Sequence, residues 1–333
     1  MSTAIIIPSY NREQLLPMCL DSVLRQTRPP EEILVVDDGS TDATAALCRT
    51  YPPVRYLHKE NGGPGSARNL GLRNTTSESV IFLDSDDILA DRALELLRKG
   101  FEAYPDVAVV FGRPILFRGK GLPPGTDRQT WPKPEEIHAL LCDGRIGGVA
   151  RVSRDIGARM LRYSLIVPGS ALVRRSALDA VGPWDEGLLS ATDQDLWLRI
   201  TARFSIAYVE GTVLFYRRHQ GALTDSDHWL VFQTQILRVL EKVMRADWAD
   251  AGLRRKAKAH FARRASKVSR LYAGQGDLGR AARLMWKTIR HRPFSLKSWA
   301  RFGGYAIRAR REGRARRGGR ARGTLGMKDS NLH

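Results

Sequence analysis

Val80-Ile81-Phe82-Leu83-Asp84-Ser85-Asp86-Asp87-Ile88 is the stretch on which the fold turns. Four apolar residues run straight into three carboxylates. The first half suits a strand buried on both faces. The second half resists burial, because an unpaired carboxylate costs several kcal/mol or more to desolvate. The strand is therefore expected to carry its acids to the mouth of a pocket at its C-terminal end. Oxygen ligands there suit a hard divalent cation, and Mg²⁺ or Mn²⁺ keeps coordination sites for substrate phosphates. On these nine residues alone, an acidic turn that merely follows a strand is an equal reading.

Upstream, the same strand-to-acid pattern recurs. Ala4–Ile7 is a short apolar run stopped by Pro8, with a turn at Ser9-Tyr10-Asn11. Residues 13–26 place Leu15, Leu16, Cys19, Leu20, Val23 and Leu24 on one helical face, and Pro29-Pro30 ends that helix. Residues 32–36 form a second buried strand, which runs into Asp37-Asp38-Gly39-Ser40-Thr41-Asp42. Strand, helix and strand within about 30 residues argue for parallel βαβ units. Residues 54–57 read as a third strand. The loop Gly62-Gly63-Pro64-Gly65 then feeds a helix whose N-terminus favours an anion. It lacks the Lys-Ser/Thr ending of a P-loop and the spacing of a dinucleotide fingerprint, so a purely structural helix start is at least as good a reading. Arg68, one turn into that helix, can reach a ligand at the strand ends.

Downstream, residues 91–104 read as a helix and 107–111 as a strand. Residues 112–163 are irregular, with five prolines and scattered arginines. A loop of that length is either a binding lid or a variable insertion. Residues 170–173 are a short strand, and 181–186 a turn. Asp193-Gln194-Asp195 opens a helix that runs to Arg203, with Leu196, Trp197 and Ile200 inward. Acids in a first turn also stabilise the helix dipole, whatever else they do. A strand or edge hairpin over 207–217 precedes His219, which by position alone is more a surface residue than a ligand.

The chain of 333 residues has room for one large domain or two smaller ones. Its three cysteines have no metal or disulfide spacing, which fits a reducing compartment. The N-terminus lacks a basic region and a long enough apolar run for a signal peptide, and no stretch approaches the ~20 apolar residues of a membrane span. A cytoplasmic protein is expected. The net charge of +19 is uneven: residues 251–333 carry 24 basic and 3 acidic side chains, whereas the remainder is nearly balanced.

Taken together, Ile6-Ile7-Pro8-Ser9-Tyr10-Asn11, Val36-Asp37-Asp38-Gly39-Ser40-Thr41-Asp42, Gly63-Pro64-Gly65-Ser66-Ala67-Arg68-Asn69 and Leu83-Asp84-Ser85-Asp86-Asp87 resemble the family 2 inverting glycosyltransferases of GT-A fold. The resemblance continues through Ser170–Arg175, Gly182-Pro183-Trp184-Asp185-Glu186 and Asp193-Gln194-Asp195-Leu196-Trp197, and covers roughly residues 3–220. It implies an α/β fold: a Rossmann-like nucleotide-sugar-binding domain with a mostly parallel sheet over 1–222, followed by a helical region. It places Pro8, Tyr10, Asp38, Arg68 and Asp84 around the nucleotide-sugar, with Asp38 on the base and Arg68 on the nucleotide or its phosphates. Asp37 is expected to order the turn beside Asp38. Asp86 would hold a divalent metal, Mn²⁺ or Mg²⁺, which stabilises the departing diphosphate. Asp87 is expected to order the turn that follows. His219 matches a position where some relatives place a metal or diphosphate contact. Asp193 would be the base that deprotonates the acceptor hydroxyl, with Asp195 the weaker candidate. The family usually has Glu-Asp where this chain has Thr192-Asp193, so the departure falls on the neighbour of the base. UDP-sugars are the favoured donors, and a glycan or glycolipid the acceptor. A nucleotide-sugar-binding scaffold that no longer catalyses is the alternative.

Residues 223–310 read as amphipathic helices over 229–248, 251–272 and 278–291, then a basic segment with Leu296, Trp299, Phe302 and Tyr305 at helical spacing. Gly276-Asp277, Ala281-Ala282 and Pro293 resemble one tetratricopeptide-like hairpin, which cannot bury a solenoid core alone. Residues 311–333 are arginine-rich and expected to be disordered. A basic amphipathic helix beside a polybasic tail suggests an anionic membrane surface as partner, at the inner face of the cell membrane, or else a solvated helical cap with a floppy end. Nucleic acid is disfavoured, because no recognition module accompanies the charge.

Overall fold

In the computed structural model the described residues are 1–119, 129–130, 137, 139–142, 145–218 and 229–325; for 129–130 and 311–325 only the backbone is described. The strands are β1 (Thr3–Ser9), β2 (Glu32–Asp37), β3 (Val54–His58), β4 (Ser79–Phe82), β5 (Ile88–Leu89), β6 (Val109–Arg118), β7 (Gln129–Thr130), β8 (Val149–Arg151), β9 (Ala171–Arg174) and β10 (Ile206–Arg218). They form one sheet in the order β3-β2-β1-β4-β9-β6-β10-β5, with β7 beside β6 and β8 beside β10. The first four are mutually parallel, β9 is antiparallel to both its neighbours, and β10 is parallel to β6. The chain leaves β1 for β2 on one side and returns to β4 on the other. Their C-terminal ends thus flank a crevice of the kind that takes ligands in open α/β sheets.

The helices of this part are α1 (Leu16–Leu24), α2 (Thr44–Cys48), α3 (Gly63–Arg73), α4 (Ala93–Ala103), α5 (Ile156–Met160), α6 (Arg175–Val181) and α7 (Thr192–Arg203). Alternate side chains of β1 face opposite layers. Ile5 and Ile7 join a core with Leu16, Leu20, Leu94 and Leu97, under α1 and α4. Ile6 joins the other core with Val36, Phe82, Trp184 and Trp197, under α3 and α7. At Gly71 an added Cβ would meet Ile6 Cγ2 at 2.3 Å, so α3 lies directly against β1. That contact sets the start of α3, and with it Arg68, over the strand ends.

The segment after Phe111 differs from its expected irregularity. β6 continues to Arg118 and pairs residue by residue with β10 across a register shift near Thr212. Pro114, which lacks a ladder donor, hides this strand in the sequence. β8 and α5 add further order within 112–163.

Four helices follow: α8 (Trp229–Arg245), α9 (Ala251–Gly274), α10 (Leu278–His291) and α11 (Leu296–Leu325). Asp250 and Asp277 cap α9 and α10 by accepting from Leu253 N–H and Arg280 N–H. Ile236, Leu240, Val243, Phe261 and Val268 belong to the same continuous core as Trp184 and Trp197. The helices therefore pack onto the sheet unit through an apolar interface. The backbone of α11 is helical to Leu325. No helix among the described residues is long and apolar enough to cross a membrane.

Candidate active site

The ends of β1 and β2 are stitched together by backbone and short side chains. Asp38 N–H donates to Ser9 O, and Asn11 Oδ1 accepts from Thr41 N–H at 2.8 Å. Asp37 accepts from Ser40 N–H at 2.8 Å and from the Tyr56 hydroxyl at 2.5 Å, so it orders the turn. The adjacent Asp38 faces the glycine loop. Its carboxylate, 4% exposed, takes the N–H groups of Gly62 and Gly63 at 2.9 and 2.7 Å and the Lys59 ammonium at 2.7 Å. Gly63 has φ +84°, a left-handed value that favours glycine. Pro8 is buried in β1 opposite Val36, and Tyr10 stands exposed just beyond that strand.

At the end of β4 the three acids separate. Asp84 accepts from Arg68 Nη2 at 2.6 Å. Asp86 lies partly buried, and its backbone carbonyl accepts from Arg217 Nε at 2.8 Å. Asp87 is fully buried and does not order the next turn. Its Oδ1 accepts from Arg217 N–H at 2.9 Å, tying the acidic stretch to β10, while Oδ2 has no partner. Burial, with Asp86 and Asp84 close by, pushes the Asp87 carboxyl well above the ordinary range. Burial and the same three acids push the neighbouring Tyr216 hydroxyl up as well. The Arg217 side chain also stacks over Phe117 at 4.5 Å.

The facing wall is the turn before α7 and the first turn of that helix. Ala191 enters α7 in the left-handed region with φ +57°, and makes no side-chain cap bond. Asp193 is partly buried, and desolvation raises its carboxyl above the ordinary range against the pull of Ser164, the Gln194 N–H and Arg68. Asp195 is 2% exposed and saturated: Arg199 Nε and Nη2 lie at 3.0 Å from one oxygen and Lys242 Nζ at 2.6 Å from the other. Asp195 is therefore structural. Trp184 packs edge-on to Phe82 and carries the Arg68 guanidinium 4.5 Å over its ring. Asn69 holds Trp184 by accepting from its N–H at 2.9 Å and donating to its carbonyl at 3.0 Å. Arg68, at 2.6 Å from Asp84 and 3.4 Å from Thr192 Oγ1, joins the strand-end wall to the residue before Asp193.

Arg68 thus links Asp84 to the start of the Asp193 helix, Asp86 lies near Asp84, Asp38 stands at the loop that opens the helix of Arg68, and His219 lies outside the described residues. Sequence reasoning missed Arg217, Tyr216, Asn69 and Lys242. Asn69 stands inside a quoted motif and Arg217 and Tyr216 flank His219, so position could have pointed to them. Lys242 carries no local signal.

A sequence profile described as "Glycosyl transferase family 2" matches residues 4–182. An uncharacterized glycosyltransferase of Rickettsia prowazekii (strain Madrid E) is 31% identical over 226 residues, covering 66% of this chain and 65% of that protein. The poly(ribitol-phosphate) beta-glucosyltransferase of Bacillus spizizenii is 34% identical over 149 residues, covering 42% of this chain and 23% of the relative. The chain therefore spans less than two thirds of the length of the curated relatives it matches. Among solved structures, S. aureus TarS 1–349 in complex with UDP-GlcNAc superposes with a TM-score of 0.67 at 20% identity, covering 92% of this chain and 89% of that one. That likeness shows the shared fold, including the helices after the sheet.

Proposed function

The chain belongs to glycosyl transferase family 2, and from that premise we propose that it transfers a sugar from a nucleotide-diphosphate donor to an acceptor hydroxyl with inversion. The observation that carries this reading is Arg68, which joins Asp84 on the strand-end wall to Thr192 beside Asp193. One wall holds the donor and the other supplies the base. Asp38, held at the glycine loop by the Gly62 and Gly63 N–H groups, is the proposed contact of the nucleoside base. Asp193 takes the proton of the acceptor hydroxyl as it attacks the anomeric carbon, and its raised affinity for a proton suits that work. Asp195, bound to two cations, cannot do so.

A divalent metal fits Asp84 and Asp86. Among the described residues no three His, Cys, Asp or Glu side chains form a metal cage. Two carboxylates at a cleft mouth suit a cation that draws its other ligands from diphosphate and water. When bound, Mn²⁺ or Mg²⁺ would offset the charge that develops on the leaving diphosphate. Nucleoside-diphosphate release from a panel of UDP-, dTDP- and GDP-sugars with Mn²⁺ tests the proposal. Turnover of one donor, lost in Asp86→Ala, is expected. Absence of hydrolysis and transfer across the panel sinks it, and UDP binding without turnover would favour the non-catalytic scaffold.

The acceptor is proposed to be a glycan or glycolipid at an anionic membrane surface. On α11 and the turn before it, Phe294 is 97% exposed and Leu296 83%, beside Lys297 and Arg301, whereas Phe302 and Tyr305 pack inward. Exposed apolar side chains among cations suit an anionic bilayer. In flotation, recovery with phosphatidylglycerol vesicles should exceed recovery with neutral ones; equal recovery removes the membrane from the proposal.

A further inference from the structure

α8 lies beyond the stretch that carries the family motifs, yet it reaches into the wall that bears the base. The Lys242 ammonium lies 2.6 Å from Asp185 and 2.6 Å from Asp195. Asp195 stands in the first turn of α7, two residues after Asp193. Asp185 follows Trp184, whose ring supports Arg68. One cation from a separate helix thus bridges the two segments that form this wall.

The first turn of α7 needs such a tether. Its leading residue, Ala191, has a left-handed backbone and provides no side-chain cap, so the turn relies on side-chain contacts: Arg68 donates to Thr192 Oγ1, Gln194 Nε2 to the Met160 carbonyl, and Asp195 accepts from Lys242. The Arg199 guanidinium ties Asp195 to the carbonyls of Val181, Gly182 and Pro183. Lys242 adds the tie to Asp185 and, unlike Arg199, comes from a separate helix. The salt bridge is also seated: α8 buries Val239, Leu240 and Val243 in the core that holds Trp184 and Trp197.

We infer that Lys242 is a positioning residue for the transfer reaction. It fixes the first turn of α7 against the 183–187 turn, and so sets where Asp193 stands relative to Arg68 and Asp84. The inference rests on the proposed role of Asp193 as base. Its consequence is that the helices after residue 222 complete the site.

The test is the full chain carrying Lys242→Met, which keeps the length of the side chain and removes its charge, beside Lys242→Arg. A misplaced base costs turnover more than donor binding, and an ångström of displacement can cost on the order of 100-fold. For Lys242→Met, kcat should fall about tenfold, UDP affinity by calorimetry should stay within about threefold, and amides 192–198 should exchange faster with deuterium. Lys242→Arg should restore most of kcat. A kcat within twofold of wild type in Lys242→Met overturns the inference. So does an equal loss of kcat and UDP affinity that arginine does not rescue, since that is general destabilisation. Asp193→Asn is assayed alongside; wild-type turnover in that variant would instead refute the base assignment.

Discussion

The two walls of the cleft are built by different means. The strand-end wall is set by backbone. Parallel pairing places Ser9 beside Asp37 and Ile6 beside Phe82, so the loops that follow those strands arrive together with their acids. The facing wall has no ladder. It is a turn and a helix start, held by side chains from α3, α7 and α8. Where backbone sets position, a carboxylate's role follows from its place on the strand. Where side chains set position, two identical residues in one helical turn acquire different surroundings. Asp195 accepts two cations and is locked; among the described residues no salt bridge reaches Asp193.

That contrast breaks most directly at Asp193. Burial raises its folded-state pKa above the unfolded value. The folded protein therefore binds the proton more tightly, and stability falls as pH climbs from the ordinary carboxylate range through the raised value. At neutral pH the ionised side chain is a cost to the fold. Asp193→Asn should remove that cost and raise Tm at pH 7, with little change at pH 3. The same substitution removes the proposed base, and kcat should fall about 10²–10⁴-fold. In the wild type, kcat should decline as pH drops through the raised pKa, above the ~3.9 of a free aspartate. Rate and Tm should thus move in opposite directions. If both fall at pH 7, Asp193 is a structural residue like Asp195.

Asp195 gives the next effect. Asp195→Asn leaves Arg199, 10% exposed, and Lys242 without their shared carboxylate. Breaking a buried ion pair from one side costs about 3 kcal/mol, so thermal melting should show Tm lower by roughly 6–10 °C. Turnover should fall too, because the first turn of α7 loses its tether. A variant that melts like wild type would show that the apolar interface alone holds α8 against α7.

How much of this was legible in the chain follows the same division. The parallel sheet and the turn role of Asp37 could be read from residues 4–88, because strand, turn and acid are neighbours in sequence there. Asp193 was reached by resemblance, and its contrast with Asp195 was visible only as a ranking. What separates the two is the charge around each, and Lys242 lies 47 residues beyond Asp195. The role expected for Asp87 failed for the same reason, since its partner is the Arg217 N–H on the distant β10. The strand over 112–118 was missed because Pro114 removes a donor while the long-range pairing with β10 keeps the strand.

The smallest effect separates the walls by sign. Among the described residues, each wall holds one non-glycine with positive φ: Asn11 at +50° and Ala191 at +57°. Asparagine tolerates this conformation, and Asn11 uses its side chain to accept from Thr41 N–H. Alanine gains nothing comparable at 191, and its Cβ carries a strain of about 1–2 kcal/mol. Glycine relieves that strain but adds about 0.4–1 kcal/mol of unfolded-chain entropy. Ala191→Gly should therefore stabilise the protein, by up to about 1 kcal/mol. Asn11→Gly loses a hydrogen bond worth about 1 kcal/mol and adds the same entropy, so it should destabilise. Urea unfolding of the two variants reads both signs at once. Two losses would mean that the Ala191 methyl, 6% exposed, packs well enough to outweigh its strain, and that the start of α7 is held by contact as well as by charge.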